Sequence, residues 1–168
     1  MKKEIKSFIV GLLLVASFAS CKKEEFGLLS QNHPAVPVTV ENLFGTYNGV
    51  PSVSTSLSGG GNVNIVLTIP ASSGRTIKEI TRVGIATTPN NYRVVQTSSG
   101  LYNTAPIPGN GTKVTFTTTL AEYTTKTGLP VTTSGTATSF LARYFYFLIR
   151  LDNNEELIPV PVRVYVDN

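Results

Sequence analysis

One cysteine, Cys21, and one histidine, His33, are all this chain offers for thiol or imidazole chemistry. Nucleophilic catalysis needs a base that the fold places beside the nucleophile. His33 lies in a polar stretch without usable periodicity, and Cys21 directly follows an apolar leader, so neither can serve. Zinc needs several His or Cys ligands, which single copies do not supply. A pair of carboxylates of the kind that cleaves glycosides is what remains for catalysis. Glu41, Glu79, Glu122, Asp152, Glu155, Glu156 and Asp167 fall mostly at expected turns or strand ends. The reading is therefore of a protein that is not an enzyme and takes no cofactor or metal. Asp152, Asn154 and Glu156 alternate as at the start of a calcium loop, but the glycine and the distant bidentate glutamate are missing, and a solvated turn explains them. Gly59-Gly60-Gly61 opens no helix, so it reads as a flexible turn and not a phosphate cradle.

Binding chemistry is the more promising class. Tyr144, Tyr146 and Arg150 share a strand face by parity, opposite Phe145, Phe147, Ile149 and Leu151, with Leu141 upstream also read as inward. Outward tyrosines make a flat apolar platform with a polar tip, suited to sugar faces or protein partners. Cross-strand packing under a neighbouring segment, or a tyrosine corner, is the preferred plainer reading of the same residues. Tyr92 with Arg93, and Tyr102 in a long loop, are the other candidate contacts.

Strands must position these groups. Residues 35–40 form a first strand that Pro37 marks as an edge, and Phe44, Tyr47 and Val50 cover one end of the core. After a flexible turn at 56–61, residues 62–69 alternate cleanly, with Val63, Ile65, Leu67 and Ile69 on one face. Residues 81–87 form a strand with an irregularity near Ile80. Pro89-Asn90-Asn91 is a turn before a short strand at 92–97, and 98–112 is loop. Residues 113–120 alternate again, 120–123 make one helical turn, and 124–138 form a loop of unusual length. The ending is a hairpin of two long strands, 139–151 and 158–166, turned at Asn153-Asn154. Ile158, Val160, Val162, Val164 and Val166 lie on its inner face. Pro159, Pro161 and Arg163 lie outside, the prolines implying an unpaired edge.

At 168 residues, with 14% charged residues and no tryptophan, the chain reads as one all-β domain. About seven short strands separated by Gly, Pro, Asn and Ser clusters indicate an antiparallel sandwich of immunoglobulin-like or fibronectin III-like type, without the Cys…Trp…Cys hallmark of antibody domains. The formal charge of +4 overstates the domain's own, because Lys2, Lys3, Lys6 and Glu4 belong to the leading segment. Setting these four aside leaves 11 basic and 9 acidic residues, near +2. That balance gives no support to nucleic-acid binding.

Residues 1–20 have a basic start, the apolar run FIVGLLLVA and small residues before Cys21, the layout of a cleaved secretory signal. Phe18-Ala19-Ser20-Cys21 resembles a bacterial lipobox, with Phe18 where Leu, Val or Ile is usual. That resemblance implies a lipidated Cys21 as the first mature residue, holding the protein on a membrane without a spanning helix. Lys22-Lys23-Glu24-Glu25 resembles the signal that sends Bacteroidota lipoproteins to the cell surface. Residues 21–34 are then lipidated cysteine and tether, and 35–168 the domain. With KVTFTTTLAEY at 113–123 and YFYFLIRLDNNEELIPVPVRVYV at 144–166, the chain resembles the small Ig-like domains of Bacteroidota surface lipoproteins. These include the N-terminal domains of accessory glycan-binding lipoproteins of starch-utilisation-type systems. The resemblance implies a non-catalytic outer-membrane protein facing the cell exterior, an accessory or binding module of a glycan-capture system with glycan or other outer-membrane proteins as partners. The alternative is a structural spacer or an adhesion or fimbria-type subunit that pairs through its proline-marked edge.

Overall fold

The computed structural model describes residues 36–131 and 139–168. The leader, Cys21, the tether and His33 lie outside the described residues, as does most of the second half of the long loop at 124–138.

The strands follow the alternation that predicts them where one face is buried. β1 (Thr39–Val40) is a short edge of the sheet β1-β4-β7. β4 (Asn62–Thr68) buries Val63, Ile65 and Leu67 and pairs antiparallel with β7 (Lys113–Thr119), Ile65 opposite Phe116 and Leu67 opposite Val114. A second sheet runs β6-β5-β8-β9, from β5 (Ile77–Ala86), β6 (Ile107–Pro108), β8 (Tyr144–Leu151) and β9 (Glu156–Leu157). Its Ile80, Val83, Phe145, Phe147 and Ile149 belong to the same apolar core as the β4 and β7 residues. Phe116 meets Phe145 at 5.5 Å and Phe147 at 5.6 Å between ring centroids. A third sheet, β10-β3-β2, adds β2 (Gly45–Tyr47), β3 (Val50–Ser56) and β10 (Arg163–Asp167), whose Val53, Val164 and Val166 complete the core. The architecture is a β-sandwich.

The irregularity expected near Ile80 is present: the β5–β8 register shifts between Ile80 and Arg82, within a strand that starts earlier, at Ile77. Thr119 caps the helix that follows β7, its hydroxyl accepting from the Glu122 amide at 3.0 Å. With the Lys126–Glu122 pair one turn apart, this helix, Leu120–Thr127, runs past the single turn expected there, and Gly128 ends it at φ 69°.

Three expectations are corrected. Residues 92–97 do not form a strand: Arg93–Gln96 is a single helical turn, α1, and the helix Leu120–Thr127 is α2. Val95 on α1 packs with Ala86, Tyr146 and Leu148 on the outer face of β5 and β8, and that contact overrides the β-branched pair Val94-Val95. The second correction is to the terminal hairpin, in which β9 contributes only two residues, Ile149 facing Leu157 and Arg150 facing Glu156. The chain then leaves the sheet through residues 158–162, and β10 pairs in parallel with β3 from Arg163–Ser52 to Asp167–Ser56. Pro159 and Pro161 thus lie in a crossover between sheets and not along an open strand edge, a place where missing N–H donors cost no ladder bonds. Val162, Val164 and Val166 keep their inward parity, while Ile158 packs on the outer cluster and Val160 is half exposed.

The third concerns residues 44–55, of which Phe44, Tyr47 and Val50 alone carry an expectation, that of covering one end of the core. They form the β2–β3 hairpin, turned by Asn48 (φ 51°) and Gly49 (φ 77°). An Asn-Gly pair with both residues at positive φ is the preferred two-residue hairpin turn, because its twist matches that of the strands.

Candidate functional site

β8 is buried on both faces, and that decides the fate of the tyrosine platform. Leu141, Phe145, Phe147, Ile149 and Leu151 face the core as their parity requires. Tyr146 does point away from the core, yet it is fully buried beneath α1 and the 87–92 segment. Its hydroxyl accepts from the Asn91 amide at 3.1 Å and donates to the Thr88 carbonyl, and burial pushes its pKa up. Tyr92 meets the Tyr146 ring edge-on at 5.6 Å and stays 36% exposed. Arg150 bridges Glu79 at 3.1 Å and Glu156 at 2.9 Å across three strands, and the Glu156 hydrogen bond raises its pKa. Tyr144, Tyr146 and Arg150 therefore do not form one surface, because tertiary packing covers the middle of the face.

Tyr102 is also corrected: it is buried, not an exposed contact in the long loop. Thr118 gives its single proton to Glu122 Oε2 at 2.9 Å, so the Tyr102 hydroxyl, 2.8 Å from Thr118 Oγ1, is the donor of that pair. Lys126 sits 4.3 Å from the Tyr102 ring centroid and donates to the Tyr102 carbonyl. Burial raises the Tyr102 pKa, and the Lys126 and Thr118 hydrogen bonds lower that of Glu122. This network anchors α2 to the 102–108 loop.

An aromatic face does exist, on a different sheet. In β10 the alternation that buries Val164 and Val166 turns Arg163 and Tyr165 outward. The β2–β3 hairpin carries Phe44 and Tyr47 to the same side, and Phe140 arrives through a bridge to Tyr165. Phe44 stacks on Tyr165 at 5.1 Å and 19°, Phe140 meets Tyr165 at 5.3 Å, and Tyr47 meets Phe140 at 5.4 Å. The Arg163 guanidinium lies 4.2 Å from the Phe140 ring centroid, 4.9 Å from that of Tyr144 and 5.7 Å from that of Tyr47. Its Nε is shielded and has no hydrogen-bond partner among the described residues. Phe44 remains 58% and Tyr47 48% exposed. Flat aromatic surface with a cation held among the rings can stack against the apolar face of a ligand and attract its acceptors. Of the residues singled out in the sequence for ligand contact, only Tyr144 takes part. The signal for the rest was the Arg163-Val164-Tyr165-Val166 alternation joined to the Asn48-Gly49 hairpin.

No family model, curated protein or solved structure matches this chain.

Further concavities flank the sandwich. An apolar groove of about 230 Å³ lies between β1, the start of β3 and the crossover, lined by Val38, Val40, Leu43, Pro51, Pro159 and Val160 among others. A polar cleft of about 370 Å³ adjoins α1 and includes Arg93. The carboxylates with ion pairs are committed to cations: Glu41 to Lys113, Glu122 to Lys126, and both Glu79 and Glu156 to Arg150. Among the described residues no helix is long and apolar enough to cross a membrane.

Proposed function

We propose that this chain is a non-catalytic, lipid-anchored outer-membrane protein whose sandwich, of immunoglobulin-like or fibronectin III-like type, displays a carbohydrate-binding face on β2 and β10. The observation that carries the reading is the aromatic face around Arg163, with Phe44 and Tyr47 half exposed beside a caged guanidinium. The domain type is supported by the parallel pairing of the last long strand with an early one, and by antiparallel β4–β7 and β5–β8 pairs in different sheets. Commitment of Glu79 and Glu156 to one arginine argues against their working as a glycoside-cleaving pair. Anchoring rests on the sequence around Cys21, and orientation to the exterior on Lys22-Lys23-Glu24-Glu25.

Affinity electrophoresis of the full chain through a panel of soluble neutral polysaccharides tests the binding face. Retardation by at least one polysaccharide, abolished in a Phe44→Ala/Tyr47→Ala double variant, is the expected result. Uniform migration through the whole panel, or retardation unaffected by the double variant, removes the proposal. Cys21→Ala is expected to release the protein from the membrane fraction; continued partition with membranes overturns the anchor.

The apolar groove beside β1 favours a second reading, a spacer or adhesion-type subunit whose exposed Leu43 and Val160 meet another chain. Concentration-dependent self-assembly in light scattering, lost in Leu43→Ser/Val160→Ser, would select it over glycan capture.

A further inference from the structure

The cleft beside α1 gathers polar side chains that the protein does not use. It is lined by Asn91, Arg93, Thr97 and Ser99, with Ile85 and Val94 as its apolar part. Among the described residues the Arg93 guanidinium has neither ion pair nor hydrogen bond. The Asn91 amide and the Thr97 and Ser99 hydroxyls likewise make no side-chain hydrogen bond, although the Asn91 backbone holds Tyr146. No Asp or Glu occurs anywhere between Glu79 and Glu122, so no acid near in sequence competes for Arg93. Arg82, donating to the carbonyls of Val95 and Gln96 at 3.2 and 3.0 Å, adds a second positive charge at the end of α1.

We infer that this cleft is a binding site for a carboxylate-bearing sugar, with Arg93 taking the carboxylate and Asn91, Thr97 and Ser99 the ring hydroxyls. An arginine fork matches a carboxylate in bidentate geometry, which a lone hydroxyl does not exploit. Hydroxyl and amide side chains both donate and accept, as sugar hydroxyls do. The volume of about 370 Å³ falls in the range of small-molecule sites, roughly 300–1,000 Å³, and exceeds what a single small anion fills. The cleft is set apart from the aromatic face by residue content, so the two sites stand or fall separately.

Affinity electrophoresis of the full chain through polygalacturonate, and through the same polymer fully methyl-esterified, tests the inference. Retardation is expected with the acid and not with the ester. Arg93→Ala is expected to weaken it by about tenfold or more, with partial recovery in Arg93→Lys. Phe44→Ala/Tyr47→Ala is expected to leave it unchanged. Equal retardation by the ester, or no loss in Arg93→Ala, overturns the assignment. So does competition by succinate or inorganic sulfate at the same concentration as by a galacturonate oligomer, which marks a general anion site. Arg93 is exposed, so an unchanged unfolding midpoint in Arg93→Ala confirms that a loss of retardation reports binding.

Discussion

Two outward sheet faces of this sandwich carry tyrosines, and they meet opposite ends. On β5 and β8 the face is closed: α1 and the preceding segment lie across it, Tyr146 is buried, and its hydroxyl is held at both ends of its hydrogen-bonding capacity. On β10 and β2 the face is open, and its rings stack on one another and around Arg163 with Phe44 and Tyr47 half exposed. Glycine is part of the difference. A Cβ at Gly84 would meet the Val94 carbonyl oxygen and Cγ2 at 2.8 Å, so β5 lets α1 approach only where a side chain is absent. An outward tyrosine is a ligand contact only where nothing else needs the space.

The comparison can be broken most forcefully at Tyr146. Tyr146→Ala is expected to cost about 3–5 kcal/mol in chemical denaturation, as for other large buried aromatics. Tyr146→Phe is expected to cost about 1–3 kcal/mol by leaving the Asn91 amide and Thr88 carbonyl without their partner. A loss near zero for both would mean that α1 does not seal this face. Gly84→Ala comes next, at about 1–3 kcal/mol from overpacking against α1. Increased quenching of tyrosine fluorescence in that variant would report the lifting of the helix.

Smaller effects are expected on the open face. Arg163→Met should lower stability by about 1 kcal/mol, the scale of a partly desolvated cation–π contact, with the loss of the charged Nε's burial cost acting against it. Phe44→Ala should change stability by less than about 1 kcal/mol, since a half-exposed ring loses little on truncation, while removing its part of any ligand contact. An equal cost for Phe44→Ala and Tyr146→Ala in the same denaturation series would erase the distinction between the faces.

Titration sharpens the contrast at alkaline pH. Burial raises the pKa of Tyr146 and Tyr102 in the folded protein above the ordinary value of 10.0. The folded state therefore binds their protons more tightly than the unfolded chain does. That contribution is fully present below about pH 10 and is lost as pH rises through the folded values. Tyr146→Phe and Tyr102→Phe should each flatten the fall of stability above pH 10, measured by urea midpoints. Glu122 acts in the opposite sense, its pKa lying below the ordinary 4.5. Its stabilisation is present above about pH 4.5 and lost as pH falls through the lowered value, and Glu122→Gln should remove that acid-side slope.

Alternation made β4, β7 and the core side of β8 legible, because a period of two with β-branched and aromatic residues on one side has a single burial solution. The Pro159–Pro161 stretch and the 92–97 stretch were misleading for a common reason. Each has strand-like residues, and each is drawn away by tertiary contacts, those of the following β10 with β3 in one case and those with β5 and β8 in the other. The candidate site suffered similarly. Tyr144 could be picked out by parity, but Phe44, Tyr47, Phe140 and Tyr165 converge only after the β2–β3 hairpin and the parallel β10–β3 ladder have formed. The Asn48-Gly49 turn was readable and would have supplied the hairpin. The parallel ladder was not readable, since its partners lie more than a hundred positions apart and no local pattern records the pairing.

By itself, then, the chain determined its all-β class and the inward parity of its long strands, since both follow from side-chain type at neighbouring positions. Which outward faces stay open was decided only in three dimensions. Covering a face depends on where a distant helix or hairpin comes to rest, so Tyr146 is sealed under α1 while Arg163 is left among exposed rings.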